Sequence, residues 1–466
     1  IQYDLDGARQ PGRSASEAAA GEATTDGEVL TLAEVEKMLA TLLGPARSKA
    51  ISADRPLKAI GLDSLDLLEF RTMLGREVGR KIEPTFFFQH STPRAISDFF
   101  GGEAGRKPRE APAEVARLPV DRREPIAIVG ASCRIPGGAN NLDEFWELLV
   151  TGRDAIVEVP ADRLEWESHG DDGSEPWREA IRYGGFLADV DKFDSGFFDI
   201  APREANQMDP QQRILLELSW EALENAGIDP ISLAGSDAGV FAGVFTHDYE
   251  YLQLISGPES VSDMYFATGT NSSVAAGRIA YVFGLHGPAI AVNTACSSSL
   301  VAVHMACQSI RNRECSLAMA SGVNVLLAPQ LSETFAKANM LAPDGRCKTF
   351  DAAANGYVRS EGAAVVVLKS LSRARADGDR ILAVIRGSAI NQDGASNGLT
   401  APSGYAQQDV IERALRDAQL DPQDVSYVEA HGTGTSLGDP VEVSAIDAVY
   451  GGVRAADHPL VLGSLK

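Results

Sequence analysis

A chain of 466 residues has room for about three domains of ordinary size, or for one large domain and one small. Its 44% hydrophobic and 23% charged residues exclude disorder of the whole chain, and five cysteines are too few, and odd in number, for a disulfide scaffold. The formal charge of −23, from 42 basic and 65 acidic residues, sets the surface against nucleic acid and anionic membrane, and no apolar run approaches the ~18 residues of a membrane span. No signal-peptide pattern opens the chain, and Ile1 in place of a methionine reads as a fragment or processed product. The cytoplasm is the expected compartment.

Residues 1–27 are rich in Gly, Ala and Ser and read as a flexible leader. Residues 28–103 read as a short helical bundle, nearly neutral with 11 acids and 10 bases. Thr31 and Glu34 have capping-box spacing, and Val35, Met38, Leu39, Leu42 and Leu43 follow at helical intervals until Gly44-Pro45 stops the helix. After a loop over 46–62, Leu67, Phe70, Leu74 and Val78 form one face of a second helix, with Gly79 after it. Thr92-Pro93 starts a last short helix with Ile96, Phe99 and Phe100 as its apolar face. No strand pattern interrupts this stretch. So small a core is not expected to be an enzyme by itself.

Within the bundle, Gly61-Leu62-Asp63-Ser64-Leu65 places Asp63 at the N-cap of the second helix and Ser64 at its first position. A phosphodiester on the Ser64 hydroxyl is favoured there by the positive end of the helix dipole. Taken alone, Ser64 reads first as a capping residue, the commoner case. Residues 104–123, rich in Pro, Ala and Arg with net charge +3, read as a semi-extended linker. Residues 124–466 hold almost all of the acidity, about −22.

This larger part opens on the apolar run Ile126–Gly130, a buried strand by its composition, and then alternates helical and strand patterns as α/β architecture requires. Gln211–Ala226 reads as an amphipathic helix with Ile214, Leu218, Ala222 and Ala226 on one side. The segment Glu221–Pro230 is echoed by Arg413–Pro422, each followed by a strand candidate, over 239–243 and 427–430. This suggests two similar halves.

Two spots carry chemistry. In Asn293-Thr294-Ala295-Cys296-Ser297-Ser298, an apolar strand ends, a cysteine sits at the turn and a helix of small residues begins. A helix N-terminus stabilises a thiolate and offers N–H groups to an oxyanion. Cys133, Cys307, Cys315 and Cys347 have no such setting and read as structural. In Glu429-Ala430-His431-Gly432-Thr433-Gly434-Thr435, a histidine stands at a strand end, where α/β sites form. His90, His169, His247, His286, His304 and His458 read as structural or surface residues.

Residues 28–103 resemble an acyl carrier protein, on G-L-D-S-L, the long loop before it and the three-helix pattern. Asp63 in place of the histidine usual in peptidyl carriers favours the acyl type. Residues 124–466 resemble the β-ketoacyl synthase domain of a type I polyketide synthase. The motifs are EPIAIVGASCRIPGG (124–138), DPQQR (209–213), NTACSSSL (293–300), PDGRCKTFDAAANGYVRSEG (343–362) and EAHGTGTSLGDP (429–440). A thiolase fits less well, given the attached carrier and the HGTGT turn.

The resemblance implies a small all-α carrier bundle followed by a thiolase-like α/β/α/β/α synthase domain of two similar halves, cut short at its C-terminus and usually homodimeric. It implies that Ser64 carries 4′-phosphopantetheine, that Cys296 is the acyl-accepting nucleophile, and that His431 and Lys466 are active-site residues. Thr433 and Thr435 match threonines that bind the pantetheine arm. The second active-site histidine of the family lies beyond Lys466. Asn355 and Ser360 stand where Asp and Gly are commoner. The implied reaction is decarboxylative condensation of an acyl group with a malonyl-type carrier thioester. The alternative is a non-elongating module that passes acyl chains on. The implied partners are acyl-carrier thioesters, other synthase modules including an acyltransferase, and a phosphopantetheinyl transferase.

Overall fold

The computed structural model describes residues 30–57, 59–62, 64–83, 86–101, 123–161, 163, 177–396, 398–454 and 458–466. The leader over 1–27, nearly all of the linker over 104–123, Asp63, His169 and the side chain of Ser64 lie outside the described residues. The chain divides into two compact units, residues 1–115 and 116–466.

The described part of the first unit is helical, with helices Leu32–Arg47, Ser64–Glu77, Phe86–Gln89 and Pro93–Phe100. The expected capping box is formed: Thr31 N donates to Glu34 at 2.7 Å while Glu34 N donates to Thr31 Oγ1 at 3.4 Å. Gly44 breaks the first helix as Gly-Pro chemistry requires. Its φ of 69° and ψ of 174° are not helical, and one further turn runs on through Pro45 to Arg47. Val35, Leu39, Phe70, Leu74 and Ile96 are fully buried at the bundle's centre. Each such side chain contributes roughly 1.5–3 kcal/mol of apolar burial.

Two sequence readings of this unit need correction. Phe99 is exposed rather than core, because its ring packs sideways on Phe86 and Phe100 and under Arg80. The short helix Phe86–Gln89 was not legible, since four residues are too few to show a period.

The second unit is built on a six-stranded sheet. Its strands in chain order are β1 (Ile126–Arg134), β2 (Ile156–Glu158), β3 (Tyr183–Gly185), β4 (Gly239–Val244), β5 (Ala289–Val292), β6 (Leu317–Asn324), β7 (Gly362–Ser370), β8 (Ala383–Ile385), β9 (Tyr427–Glu429) and β10 (Val461–Gly463). The large sheet has the order β5-β4-β6-β7-β1-β8; β2 pairs with β3 and β9 with β10 in two small sheets. β4 runs parallel to both β5 and β6, so all three end at one edge of the sheet, and β9 and β10 are likewise parallel.

The helix Pro210–Asn225 packs on β1 and β7 and also meets the helix Ser272–Phe283. It is not amphipathic as read. Gln211, Gln212, Arg213, Leu215, Leu216 and Ser219 are buried along with Ile214, Leu218 and Ala222, because the helix lies between layers rather than on the surface. The internal echo holds in three dimensions. Each copy ends a helix on a left-handed residue, Gly227 (φ 69°) or Gln419 (φ 53°), followed by a one-turn 3₁₀ helix at Pro230 or Pro422 and then a strand, β4 or β9.

Candidate active site

Cys296 follows the end of β5, in the 3₁₀ turn Ala295–Ser297 that leads into the helix Ser298–Arg311. It is exposed, while Cys133, Cys307 and Cys315 are buried and Cys347 is half-buried. Burial pushes the thiols of Cys307 and Cys315 up to about 11, which keeps them protonated and inert. The turn is tight. Ala295 takes φ 55°, a left-handed conformation that costs a non-glycine residue on the order of 1–3 kcal/mol. Side chains hold it there. Asn293 Oδ1 accepts from Ala295 N at 3.1 Å, and Ser298 Oγ accepts from Thr294 N at 2.9 Å while donating to Ala295 O at 2.7 Å.

Two glycines let this turn sit against the sheet. A Cβ on Gly243 of β4 would lie 2.9 Å from Ser298 C and Ser299 N, and one on Gly322 of β6 would lie 2.6 Å from Ser299 Cβ. The two residues are partners in the β4/β6 ladder, so they form one flat spot beneath the helix start.

His431 lies just past the end of β9, and Lys466 just past the end of the parallel β10. Lys466 Nζ donates to His431 O at 2.6 Å and lies 3.3 Å from His431 Nδ1. An ammonium has no lone pair, so Nδ1 accepts, and the proton of a neutral ring sits on Nε2. Surrounding atoms, and then the charge of Lys466, push the imidazole below its ordinary pKa, against Glu442 and Asp439, although the residue remains accessible to solvent.

The glycines of the His431 turn have their own reasons. Gly432 and Gly434 take φ 47° and 71°, and a Cβ would fall 2.6 Å from Thr349 Cγ2 or 2.8 Å from Lys348 N. Thr433 Oγ1 and Thr435 Oγ1 are 3.1 Å apart and half-buried, and Thr435 Oγ1 also accepts from Gly438 N.

Sequence reasoning missed the two carboxylates that hold this turn. Glu442 accepts from His431 N at 2.6 Å and Gly432 N at 2.9 Å. Asp439, buried, accepts from Gly434 N at 3.1 Å and from Phe350 N at 2.8 Å. Both acids stand on the first turns of the helix Gly438–Tyr450, three residues apart. Acids at a helix start are so common that the signal was generic.

Residues 340–362 link the two turns. Gly356 N donates to Gly434 O at 2.9 Å, while the Tyr357 phenol, one residue on, lies within electrostatic reach of the Cys296 side chain. Burial is the main reason the Tyr357 phenol is pushed up to about 12. His431 and Lys466 are thus in direct contact, whereas Cys296 has no hydrogen bond to either among the described residues.

Ser64 opens the helix Ser64–Glu77, as the spacing predicted. The acid in that helix's first turn, Asp66, is paired with Arg47 at 3.2 Å. A phosphodiester at this helix start therefore meets the positive end of the helix dipole and a carboxylate paired with arginine, and the site fits a phosphopantetheine linkage.

Comparison with protein families completes the picture. The N-terminal domain of β-ketoacyl synthases matches residues 123–374 and their C-terminal domain residues 382–466. The chain belongs to the β-ketoacyl synthases. A phosphopantetheine attachment site matches residues 33–100 of the same chain. Polyketide synthase GfsA of Streptomyces halstedii is 48% identical over 435 residues, which are 93% of this chain and 6% of the relative. Erythronolide synthase EryA2 of Saccharopolyspora erythraea is 46% identical over 435 residues, 93% of this chain and 12% of the relative. The synthase chain thus spans only a small part of the length of the curated relatives it matches.

Among solved structures, the ketosynthase from module 6 of the bacillaene synthase of Bacillus subtilis 168 is 40% identical, with a TM-score of 0.65 over 74% of this chain and 57% of that one. An oxazolomycin ketosynthase domain of Streptomyces albus JA3453 is 41% identical, with a TM-score of 0.69 over 74% of this chain and 60% of that one. The second unit of this synthase therefore has the thiolase-like ketosynthase fold, and the first is a helical phosphopantetheine-attachment domain. No described helix is long and apolar enough to cross a membrane.

Proposed function

We propose that this chain performs the carrier and ketosynthase steps of polyketide chain elongation. Ser64 is the attachment residue, Cys296 the acyl acceptor, His431 and Lys466 active-site residues, and Thr433 and Thr435 the hydroxyls that meet the pantetheine arm. The observation that carries the reading is the placement of one exposed thiol at a parallel-strand end and helix start, with a lysine-bound histidine past the ends of a second parallel pair. The 4′-phosphopantetheine arm supplies a thiol on which acyl groups are presented as thioesters.

The Cys296 thiolate attacks the carbonyl carbon of an acyl thioester. The carbonyl oxygen becomes an oxyanion, which the N–H groups at the start of helix 298–311 stabilise; its collapse breaks the original C–S bond, and the departing thiolate takes up the proton that the Cys296 thiol released. In the second step a malonyl-type thioester loses carbon dioxide. The electron pair of the broken C–C bond becomes an enolate, which attacks the acyl-Cys296 carbonyl and expels the thiolate. The lowered pKa keeps His431 neutral, and its Nε2–H is free to donate to the enolate oxygen while Lys466 holds Nδ1.

The domain limits follow the same reading: leader 1–27, acyl carrier 28–103, linker 104–123 and synthase 124–466. The expected partners are carrier thioesters and neighbouring modules, a second copy of the synthase unit, an acyltransferase and a phosphopantetheinyl transferase, in the cytoplasm. Intact-protein mass spectrometry after incubation with an acyl thioester tests the proposal. Cys296→Ala abolishes acyl loading of the synthase unit; unchanged loading overturns the assignment.

A further inference from the structure

The motif Asp209-Pro210-Gln211-Gln212-Arg213 has no part in the chemistry above, yet its polar side chains are buried, between 3% and 8% exposed. Burying such groups costs several kcal/mol unless each is hydrogen-bonded, so their partners show what they hold. Gln212 and Arg213 brace the surrounding backbone: Gln212 Nε2 donates to Gly269 O at 2.8 Å and Arg213 Nε to Met208 O at 2.9 Å.

Asp209 and Gln211 bond each other and Thr246 instead. Asp209 caps the helix by accepting from Gln211 N at 2.8 Å, and it also accepts from Gln211 Nε2 at 3.2 Å. Gln211 Nε2 donates to Thr246 O at 3.1 Å, and Gln211 Oε1, at 3.1 Å, is the nearest of three acceptors facing the Thr246 hydroxyl, ahead of Val325 O at 3.3 Å and Asn324 Oδ1 at 3.4 Å. Thr246 follows Phe245, just beyond β4. The Phe245 carbonyl accepts from Asn293 Nδ2 at 3.4 Å, and Asn293 Oδ1 is the acceptor that restrains Ala295 N beside Cys296.

The orientation of the Gln211 amide is not free. An ionised carboxylate only accepts, so Asp209 selects the NH₂ end and leaves Oε1 for the Thr246 hydroxyl. A proton on Asp209 would compete with that NH₂, and a flipped amide would set Oε1 against Thr246 O. Protonation is within reach. Burial pushes the Asp209 carboxyl up to about 6, with Asp248 adding to the rise and the Gln211 hydrogen bonds and Arg213 opposing it. Asp248 is itself tied to Leu327 N and Ala328 N and faces Arg359 and His247.

We propose that Asp209 and Gln211 are positioning residues for the Cys296 turn. The ionised Asp209 fixes the Gln211 amide, the amide fixes Phe245–Thr246, and the Phe245 carbonyl holds the Asn293 side chain that restrains Ala295. The inference rests on Cys296 being the reactive thiol.

The test uses the whole chain, with Cys296 followed by intact-protein mass spectrometry and peptide mapping. Two rates are measured between about pH 5 and pH 8.5, alkylation by iodoacetamide and acylation by a synthetic acyl thioester. In the wild type, the rates fall on acidification with an inflection near the Asp209 value of about 6. Asp209→Asn removes this inflection. Thr246→Val lowers both rates about fivefold at neutral pH, and Thr246→Ser, which keeps the hydroxyl, restores them. An Asp209→Asn profile that retains the inflection, or a Thr246→Val chain that reacts at the wild-type rate, overturns the proposal. If Asp209→Asn does not fold, the Thr246 pair decides. Wild-type Cys296 that alkylates normally but accepts no acyl group strikes the proposed function instead and leaves this test standing.

Discussion

The Cys296 turn and the His431 turn both follow the ends of parallel strands, but they are held in different ways. At Cys296 the left-handed position is filled by Ala295, and neutral groups, Asn293 and Ser298, restrain it. At His431 the left-handed positions are filled by Gly432 and Gly434, and two carboxylates, Glu442 and Asp439, take up the turn's N–H groups. The chemistry proposed for each turn gives the difference a physical reason. A carboxylate beside Cys296 would oppose formation of a thiolate, so amide and hydroxyl groups are the compatible restraints. A histidine beside a lysine tolerates negative charge, which offsets part of the field of that ammonium. The Cys296 turn stores strain and the His431 turn stores charge.

The largest effect is expected where the strained turn meets the sheet. Gly243→Ala sets a Cβ 2.9 Å from two backbone atoms of the helix that follows Cys296, and backbone cannot yield as a flexible side chain can. The cost is about 3 kcal/mol, at the upper end for overpacking. It is read as a lower urea midpoint for the synthase unit together with slower alkylation of Cys296. Unchanged stability would show that the helix start is free to slide and that Ala295 is not held by this contact. A smaller loss is expected from Glu442→Ala, which leaves His431 N and Gly432 N without their acceptor, about 1–3 kcal/mol. This variant should slow the proposed condensation while leaving alkylation of Cys296 within about twofold. Equal damage to both reactions would mean that the two turns are one mechanical unit.

How much of this was legible beforehand depends on the range of the interactions. The capping box at Thr31, the Thr92-Pro93 helix start and the places of Ser64, Cys296 and His431 are written within a few consecutive residues, where cap, turn and strand-end chemistry decide. The echo at 221 and 413 was readable because the same helix-stop chemistry recurs. What stayed hidden depends on contacts far apart in sequence. The helix at 210–225 reads as amphipathic because its period is right, and only layering on both sides buries Gln211, Gln212 and Arg213. Gly243 and Gly322 look like ordinary strand residues until the register places them opposite each other beneath one helix start. Glu442 gives no sign that its carboxylate leaves its own helix for the His431 backbone, eleven residues earlier.

The smallest expected effect separates strain from charge most cleanly. Lys466 donates to His431 through Nζ and depresses the imidazole pKa, while Glu442 and Asp439 act in the opposite direction. Lys466→Met keeps the length of the side chain and removes the ammonium. The charged imidazolium is then opposed by less positive field, so the His431 pKa rises toward its ordinary value. Nδ1 also loses its donor, so the preference for the Nε2–H tautomer weakens. Chemical shifts of His431 in histidine-labelled protein, followed from about pH 5 to pH 8, report both changes, because ring nitrogens distinguish charge state from tautomer. The rate of Cys296 alkylation should be unchanged, since none of the groups that restrain its turn bonds to Lys466 or His431. A His431 titration that stays where it is, or moves lower, would show that burial alone sets it and that Lys466 only holds the backbone carbonyl.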